Sequence, residues 1–317
     1  MSLVDDILGE PEFRDRPPVL VDIGAAGGVH RPWRKIARYA IGVGFEPDVR
    51  DTAALSDAQR LFRRWVFVSG LAVPTSPEGG VLPFHLTRSP QCSSVLRPDA
   101  EKLAPWTFSS LFEVVATQRV SAVGLLDGLR GQGIEYVDWL KCDTQGMDLR
   151  LFRSLPDTWR HRVLAAEMEP GFIDAYEGED RLAQVLETMR AEPFWMASCN
   201  VQNTPRGRAA AIEAELGSRL ARRHTFFGAG APGWANLAYL LDFERAAGAL
   251  DRRSHLLGWV FAELLCQPAA ALDIAVRGSR CFGDDLFRRM RAASRGRVRR
   301  AVWRGWLRSM PRRLLRR

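Results

Sequence analysis

Short apolar runs separated by small or polar residues recur along this chain, and between them apolar residues fall at helical spacing. Residues 19–23, Val-Leu-Val-Asp-Ile, suit a buried parallel strand. The small residues 24–28 after them let backbone N–H groups approach a ligand where the next element begins. Pro32 fits a first helical turn, and Trp33, Ile36, Ala37 and Ala40 repeat at helical spacing. Residues 41–46 and 65–69 read as the second and third strands. From 73 to 105 six prolines mark a long irregular insertion, with a turn at Gly79-Gly80 and a short strand over 81–86. Residues 137–142 and 163–168 are further strands, separated by a helix whose inner face is Met147, Leu151, Phe152 and Leu155. Leu182, Val185, Leu186 and Met189 fall at i, i+3, i+4 and i+7, which predicts an amphipathic helix over 179–190. A strand at 194–198, one helix marked by Ile212, Leu216 and Leu220, and a strand at 237–241 complete the series.

Strands and helices thus alternate over residues 19–242, which predicts an α/β fold: a mostly parallel, seven-stranded sheet with helices on both faces. Residues 1–18 read as a polar lead-in, 243–287 as a helical C-terminal extension and 288–317 as a basic tail. Residues 256–276 are interrupted by Glu263, Gln267, Pro268 and Asp273, so they read as a helical hairpin or core helix rather than a membrane span. Hydrophobic residues make up 46% of the 317, enough for a full core.

The net charge of +8 hides an asymmetry. Thirteen arginines and no acid lie in 288–317, leaving 32 basic and 37 acidic groups in 1–287, a net of −5. An acidic body argues against a nucleic-acid partner. The five cysteines are odd in number and widely spaced, which indicates neither a disulfide framework nor a zinc site. With Asp5, Asp6 and Glu10 in place of a basic, then apolar, leader, the expectation is a cytoplasmic protein.

The glycine turn limits the cofactor. A dinucleotide fingerprint counted from Gly24 needs glycine at 26 and 29, where the chain has Ala26 and Val29. The looser D-x-G-x-x-x-G from Asp22 through Gly24 to Gly28 fits S-adenosylmethionine, whose cationic amino acid end a nearby aspartate can favour. Glu46, 22 residues after Gly24, stands where such sheets place an acid that accepts both ribose hydroxyls. Asp22, Gly24, Ala25, Gly27, Gly28, Glu46 and Ser69 are the candidate cofactor residues. A tight turn with no ligand is the alternative for the glycines.

Five blocks carry a family resemblance: Val21-Asp22-Ile23-Gly24-Ala25, Gly44-Phe45-Glu46-Pro47-Asp48, Cys92-Ser93-Ser94-Val95-Leu96, the run from Asp138 to Gly146, and Ala166-Glu167-Met168-Glu169-Pro170. Their order resembles that of FkbM-type methyltransferases, and residues 140–148 are similar to that family's L-K-x-D-x-x-G-x-E; Tyr176-Glu177-Gly178 also fits. The resemblance implies a Rossmann-like class I methyltransferase fold and transfer of a methyl group from S-adenosylmethionine to a hydroxyl of a sugar, glycolipid or polysaccharide precursor. Three positions depart from the pattern. Ala26 replaces a common glycine, Asp148 stands where glutamate is usual, and Asn236 ends a block that often ends in aspartate and cannot act as a base.

A sugar hydroxyl is a poor nucleophile, so a general base or a cation is needed; Asp143, Glu167, Glu169 and His85 are the candidates. Asp143 comes first, its alternative being a helix N-cap. Lys141 reads as the partner of a carboxylate. Glu167 and Glu169, two apart on a strand, share a side, which favours a raised pKa or a bound cation; with no histidine beside them, no metal site is assigned. His85, Ser93 and Ser94 are assigned to the acceptor, with turn or capping roles as the alternative. In the tail, Val298, Val302 and Trp306 recur every fourth residue, with Trp303, Leu307 and Met310 beside them and arginines between. This reads as a basic amphipathic helix suited to an anionic membrane, placing the protein peripherally at the inner membrane face; the alternative is a solvated tail. An RNA-directed methyltransferase and a non-catalytic assembly protein of the same fold are the rival functions.

Overall fold

The computed structural model describes residues 2–25, 28–47, 52–246 and 250–309. The chain forms two compact units, one of residues 18–245 and one joining 1–17 to 246–317.

Among its described residues the larger unit holds ten strands: β1 (Val19–Ile23), β2 (Ile41–Glu46), β3 (Arg64–Ser69), β4 (Leu71–Val73), β5 (Val81–Thr87), β6 (Val114–Gly124), β7 (Trp139–Cys142), β8 (Ala165–Met168), β9 (Phe194–Thr204) and β10 (Ala231–Leu241). Seven of them make one mixed sheet in the order β3-β2-β1-β7-β8-β10-β9. The β3-β2-β1-β7-β8 portion is parallel, while β10 runs antiparallel to both β8 and β9. This Rossmann-like strand order, with an antiparallel hairpin at one end, is that of class I methyltransferases.

β1 lies at the middle of the parallel portion with all five residues buried, which is why it reads as an uninterrupted apolar run apart from Asp22. Gly42 and Gly44 of β2 make room for the Trp65 ring of β3: a Cβ on either would stand 2.5 or 2.6 Å from a ring carbon. Helices Thr52–Leu61, Leu125–Gly131, Asp148–Ser154 and Leu182–Ala191 connect successive strands.

Several segments differ from the sequence expectation. Residues 32–40 hold two short 3₁₀ turns, Trp33–Lys35 and Ala37–Tyr39, rather than an α-helix. Their spacing still buries Trp33, Ile36, Ala37 and Ala40. A 3₁₀ turn rises about 2 Å per residue against 1.5 Å for an α-helix, so few residues carry the chain back along β1 to start β2. β6, eleven residues long, has no apolar alternation because its first six residues are exposed; with β4 and β5 it forms a separate three-stranded sheet. The one helix expected around Ile212, Leu216 and Leu220 is two, Ala209–Leu216 and Ser218–Phe227, broken at Gly217 with φ +73°, and Leu216 and Leu220 are exposed. Of the stripe on Leu182–Ala191, Val185 and Met189 are buried and Leu186 is exposed.

In the smaller unit, Leu3–Leu8 and Pro11–Asp15 are helices that join Arg252–Leu264, Pro268–Cys281 and Asp285–Ser309. Residues 2–17 are therefore folded rather than a simple lead-in. Arg252 binds Glu10, Glu12 and Asp284 together, and Trp259 and Phe261 are fully buried. Among the described residues no helix is long and apolar enough to cross a membrane.

Candidate functional site

In a parallel sheet, residues in register share a face, and so do residues two apart on one strand. Asp22, Lys141 and Glu167 are register partners across β1, β7 and β8. They form a row of charges across a face that also holds Leu20, Trp139 and Ala165. The next row, two residues on, is the carboxyl edge. Ser69 stands opposite Glu46. Gly24 follows beside Glu46, its N–H bonded to Phe45 O at 3.0 Å, and Asp143 continues the ladder through its N–H to Ile23 O at 2.9 Å. Glu169 and Asn236 come next, because Lys141 pairs with Glu167 and Ala238 with Glu167. Ser69, Glu46, Gly24, Asp143, Glu169 and Asn236 therefore lie in one line. Glu46 is 8% exposed there.

In the inner row Lys141 pairs with Asp22. Lys141 Nζ is 2.8 Å from Asp22 Oδ1 and 3.9 Å from Asp143 Oδ2. Burial alone would lower the Lys141 pKa, but the Asp22 and Asp143 carboxylates outweigh it and hold the ammonium charged. Burial raises the Asp22 pKa despite the opposing pull of Lys141. Asp22 is thus paired with Lys141 within the sheet, one row behind the carboxyl edge. Lys141 is the carboxylate partner its sequence position implied. Glu167 Oε1 accepts from Trp139 Nε1 at 2.8 Å. His30 Nε2 is 3.0 Å from the same oxygen, with its ring N–H out of hydrogen-bond alignment. Glu167 and Glu169 share a face as expected, with Glu167 bonded to Trp139 one row behind the edge and Glu169 beside Asp143 at the edge.

The edge carboxyls couple to each other. Glu169 is pushed well above the usual carboxyl range by burial, by the charge of Asp143 and by a side-chain hydrogen bond with Asp143. Asp143 Oδ1 also accepts from Gln145 Nε2 at 3.0 Å, and the Asp143 side chain is 37% exposed. Asp143 caps no helix; the first turn of Asp148–Ser154 is served by Asp180, whose Oδ2 accepts from Arg150 N–H at 2.9 Å.

Buried Asp148 fixes the loop. Its Oδ1 accepts the Thr144 N–H and hydroxyl at 2.9 and 2.5 Å, and its Oδ2 accepts the Glu169 N–H at 2.7 Å, tying the ends of β7 and β8 together. Gln145 adopts φ +56°, a conformation costing a non-glycine residue about 1 kcal/mol or more, which the surroundings enforce. Ser94 Oγ donates to Gln145 O at 2.9 Å, and Tyr176 Oη lies 3.0 Å from Gln145 Oε1 and 2.8 Å from Cys92 O. Gln145, Asp148, Tyr176 and His30 were not assigned roles from sequence. Gln145, Asp148 and Tyr176 stand inside or beside the family-like motifs, and His30 reads from sequence as a loop residue rather than a catalyst.

Of the acceptor candidates, Ser94 reaches the edge loop. Ser93 is buried and engaged within the insertion, its Oγ accepting the Thr87 N–H at 3.1 Å, whereas His85 on β5 has Nδ1 3.0 Å from Thr117 Oγ1 on the neighbouring strand β6. In the glycine turn, Ala25 is buried. Gly24 and Gly28 have φ of +88° and +79°. A Cβ on Gly24 would stand 2.2 Å from Asp143 O, whereas one on Gly28 would meet nothing within 4 Å. Gly27, Ala26 and Asp48 lie outside the described residues.

No family model matches the chain, and comparison with curated proteins and with solved structures finds no match.

Proposed function

We infer that the chain is an S-adenosylmethionine-dependent O-methyltransferase of the class I fold, acting on a hydroxyl of a sugar, glycolipid or polysaccharide precursor. The observation that carries this reading is the position of Glu46: a carboxylate at the end of β2, beside the glycine turn that ends β1, in a seven-stranded sheet with an antiparallel hairpin. Ligands of open α/β sheets lie beyond the carboxyl ends of the strands, and an acid at that position suits a ribose diol.

The residues present fit the group. Gly28 leaves open space where a side chain would project, and Glu46 and Ser69 stand together at the edge as acceptor and donor for hydroxyls. When bound, S-adenosylmethionine supplies an electrophilic methyl carbon on a sulfonium. Asp143 would take the proton of the acceptor hydroxyl as the hydroxyl oxygen bonds to the methyl carbon and the carbon–sulfur bond breaks, leaving a neutral thioether. Glu169 and Gln145 hold the Asp143 carboxylate in place from two directions. Tyr176, Ser94 and Asp148 keep the loop that carries Asp143 and Gln145 in one conformation, which favours alignment of the reacting atoms.

Calorimetric titration of the purified chain with S-adenosylmethionine and, separately, with NAD tests the assignment. Binding of the first at micromolar affinity, about −8 kcal/mol, without binding of the second is expected. The opposite preference, or no binding of either, rejects it.

A further inference from the structure

The helix Asp285–Ser309 has two unlike halves. Its first half is anchored: Leu286, Phe287, Met290 and Ser294 are buried, Ser294 Oγ accepts from Trp259 Nε1 at 2.8 Å and donates to Glu263 Oε1 at 3.1 Å, and Arg297 pairs with Glu263. Beyond that point the pattern inverts. Val302, Trp303 and Trp306 are 65%, 61% and 49% exposed, and the two indole rings meet edge to face with centroids 5.4 Å apart. With 3.6 residues per turn, these three side chains fall within about 100° of arc, and Arg300 and Arg304 lie roughly 110° and roughly 150° around the helix from the centre of that arc. Arg295 and Arg299 lie one to two turns earlier on the apolar side. The helix contains no acid after Asp285 to offset these charges.

Exposed tryptophans ringed by arginines call for a surface that offers apolar depth and negative charge together. A lipid bilayer with anionic headgroups supplies both, with indoles at the headgroup boundary and guanidiniums on phosphates. A nucleic acid would satisfy the arginines and leave Val302, Trp303 and Trp306 in water. We propose that this half of the helix docks, lying in the plane of the interface, on an anionic membrane surface. The inference goes beyond methyl transfer and does not depend on it.

The test is co-sedimentation of the full chain with vesicles of phosphatidylcholine alone or mixed with phosphatidylglycerol. Binding to the anionic vesicles is expected to exceed binding to the neutral ones by about tenfold or more. The double substitution Trp303→Ala/Trp306→Ala weakens it by about tenfold, and Arg300→Glu/Arg304→Glu removes the preference for anionic lipid. All four side chains are exposed, so circular dichroism should be unchanged. Equal binding to both vesicle types, or tryptophan variants that bind like the wild type, overturns the proposal. So does binding of duplex RNA that survives the tryptophan substitutions while vesicles are ignored.

Discussion

Replacing Lys141 by methionine removes the one cation from a row of carboxylates inside the sheet. Its Nζ is 2.8 Å from Asp22 and 3.9 Å from Asp143, and the Lys141 and Asp22 side chains are only 20% and 4% exposed. At an effective dielectric constant of about 20, the two attractions come to roughly 6 and 4 kcal/mol. Much of that offsets the cost of taking the charges out of water, so losing one partner of such a pair destabilises by about 3–5 kcal/mol. The added substitution Asp22→Asn removes the stranded charge, and the double variant should be more stable than the sum of the single losses by about 2 kcal/mol. Urea denaturation at neutral pH measures all four corners of the cycle. The pH dependence has a fixed sign. Burial already raises the Asp22 pKa, and without Lys141 it rises further, so protonation of Asp22 relieves the folded variant in acid. The Lys141→Met deficit therefore shrinks as pH falls. A deficit below about 1 kcal/mol, additive single losses, or a deficit that grows toward acid pH refutes this electrostatic account.

Two further substitutions test the edge itself. Gly24→Ala forces a Cβ to 2.2 Å from Asp143 O at φ +88° and should cost about 2 kcal/mol or more, whereas Gly28→Ala bears only the backbone penalty of about 1 kcal/mol; equal falls in Tm would contradict the close approach. Because the Glu169 pKa is raised above its ordinary value of 4.5, its contribution to stability is fully present below that value and is lost as pH rises through the raised one. Glu169→Gln should flatten this decline with rising pH by about 1.4 kcal/mol for each pH unit of displacement, and unchanged urea profiles would show that the carboxyl is not displaced.

β1, β2 and β8 were legible because both of their faces are buried, so they stand out as short apolar runs. β6 was not, since a strand that exposes six successive residues needs no apolar alternation. The 3₁₀ turns after β1 share their spacing of buried residues with a helix, and only the distance to be covered separates the two. In the site, Glu46, Asp143 and Glu169 were readable because strand ends in a parallel sheet share one rim. The partner of Asp22 was not, because the register that sets Lys141 beside it joins residues 119 apart. Asp148 was visible only as a departure from a motif; its three hydrogen bonds reach from Thr144 to Glu169, a contact that local pattern does not encode.

The central claim is that a sulfonium nucleoside sits at the carboxyl edge with its ribose held by Glu46. The most direct measurement is calorimetric titration of S-adenosylmethionine into wild type and Glu46→Gln, with circular dichroism to confirm equal folding. A loss of affinity of about tenfold or more, at least 1.4 kcal/mol, is the expected result. Equal affinity in the two proteins would contradict the claim.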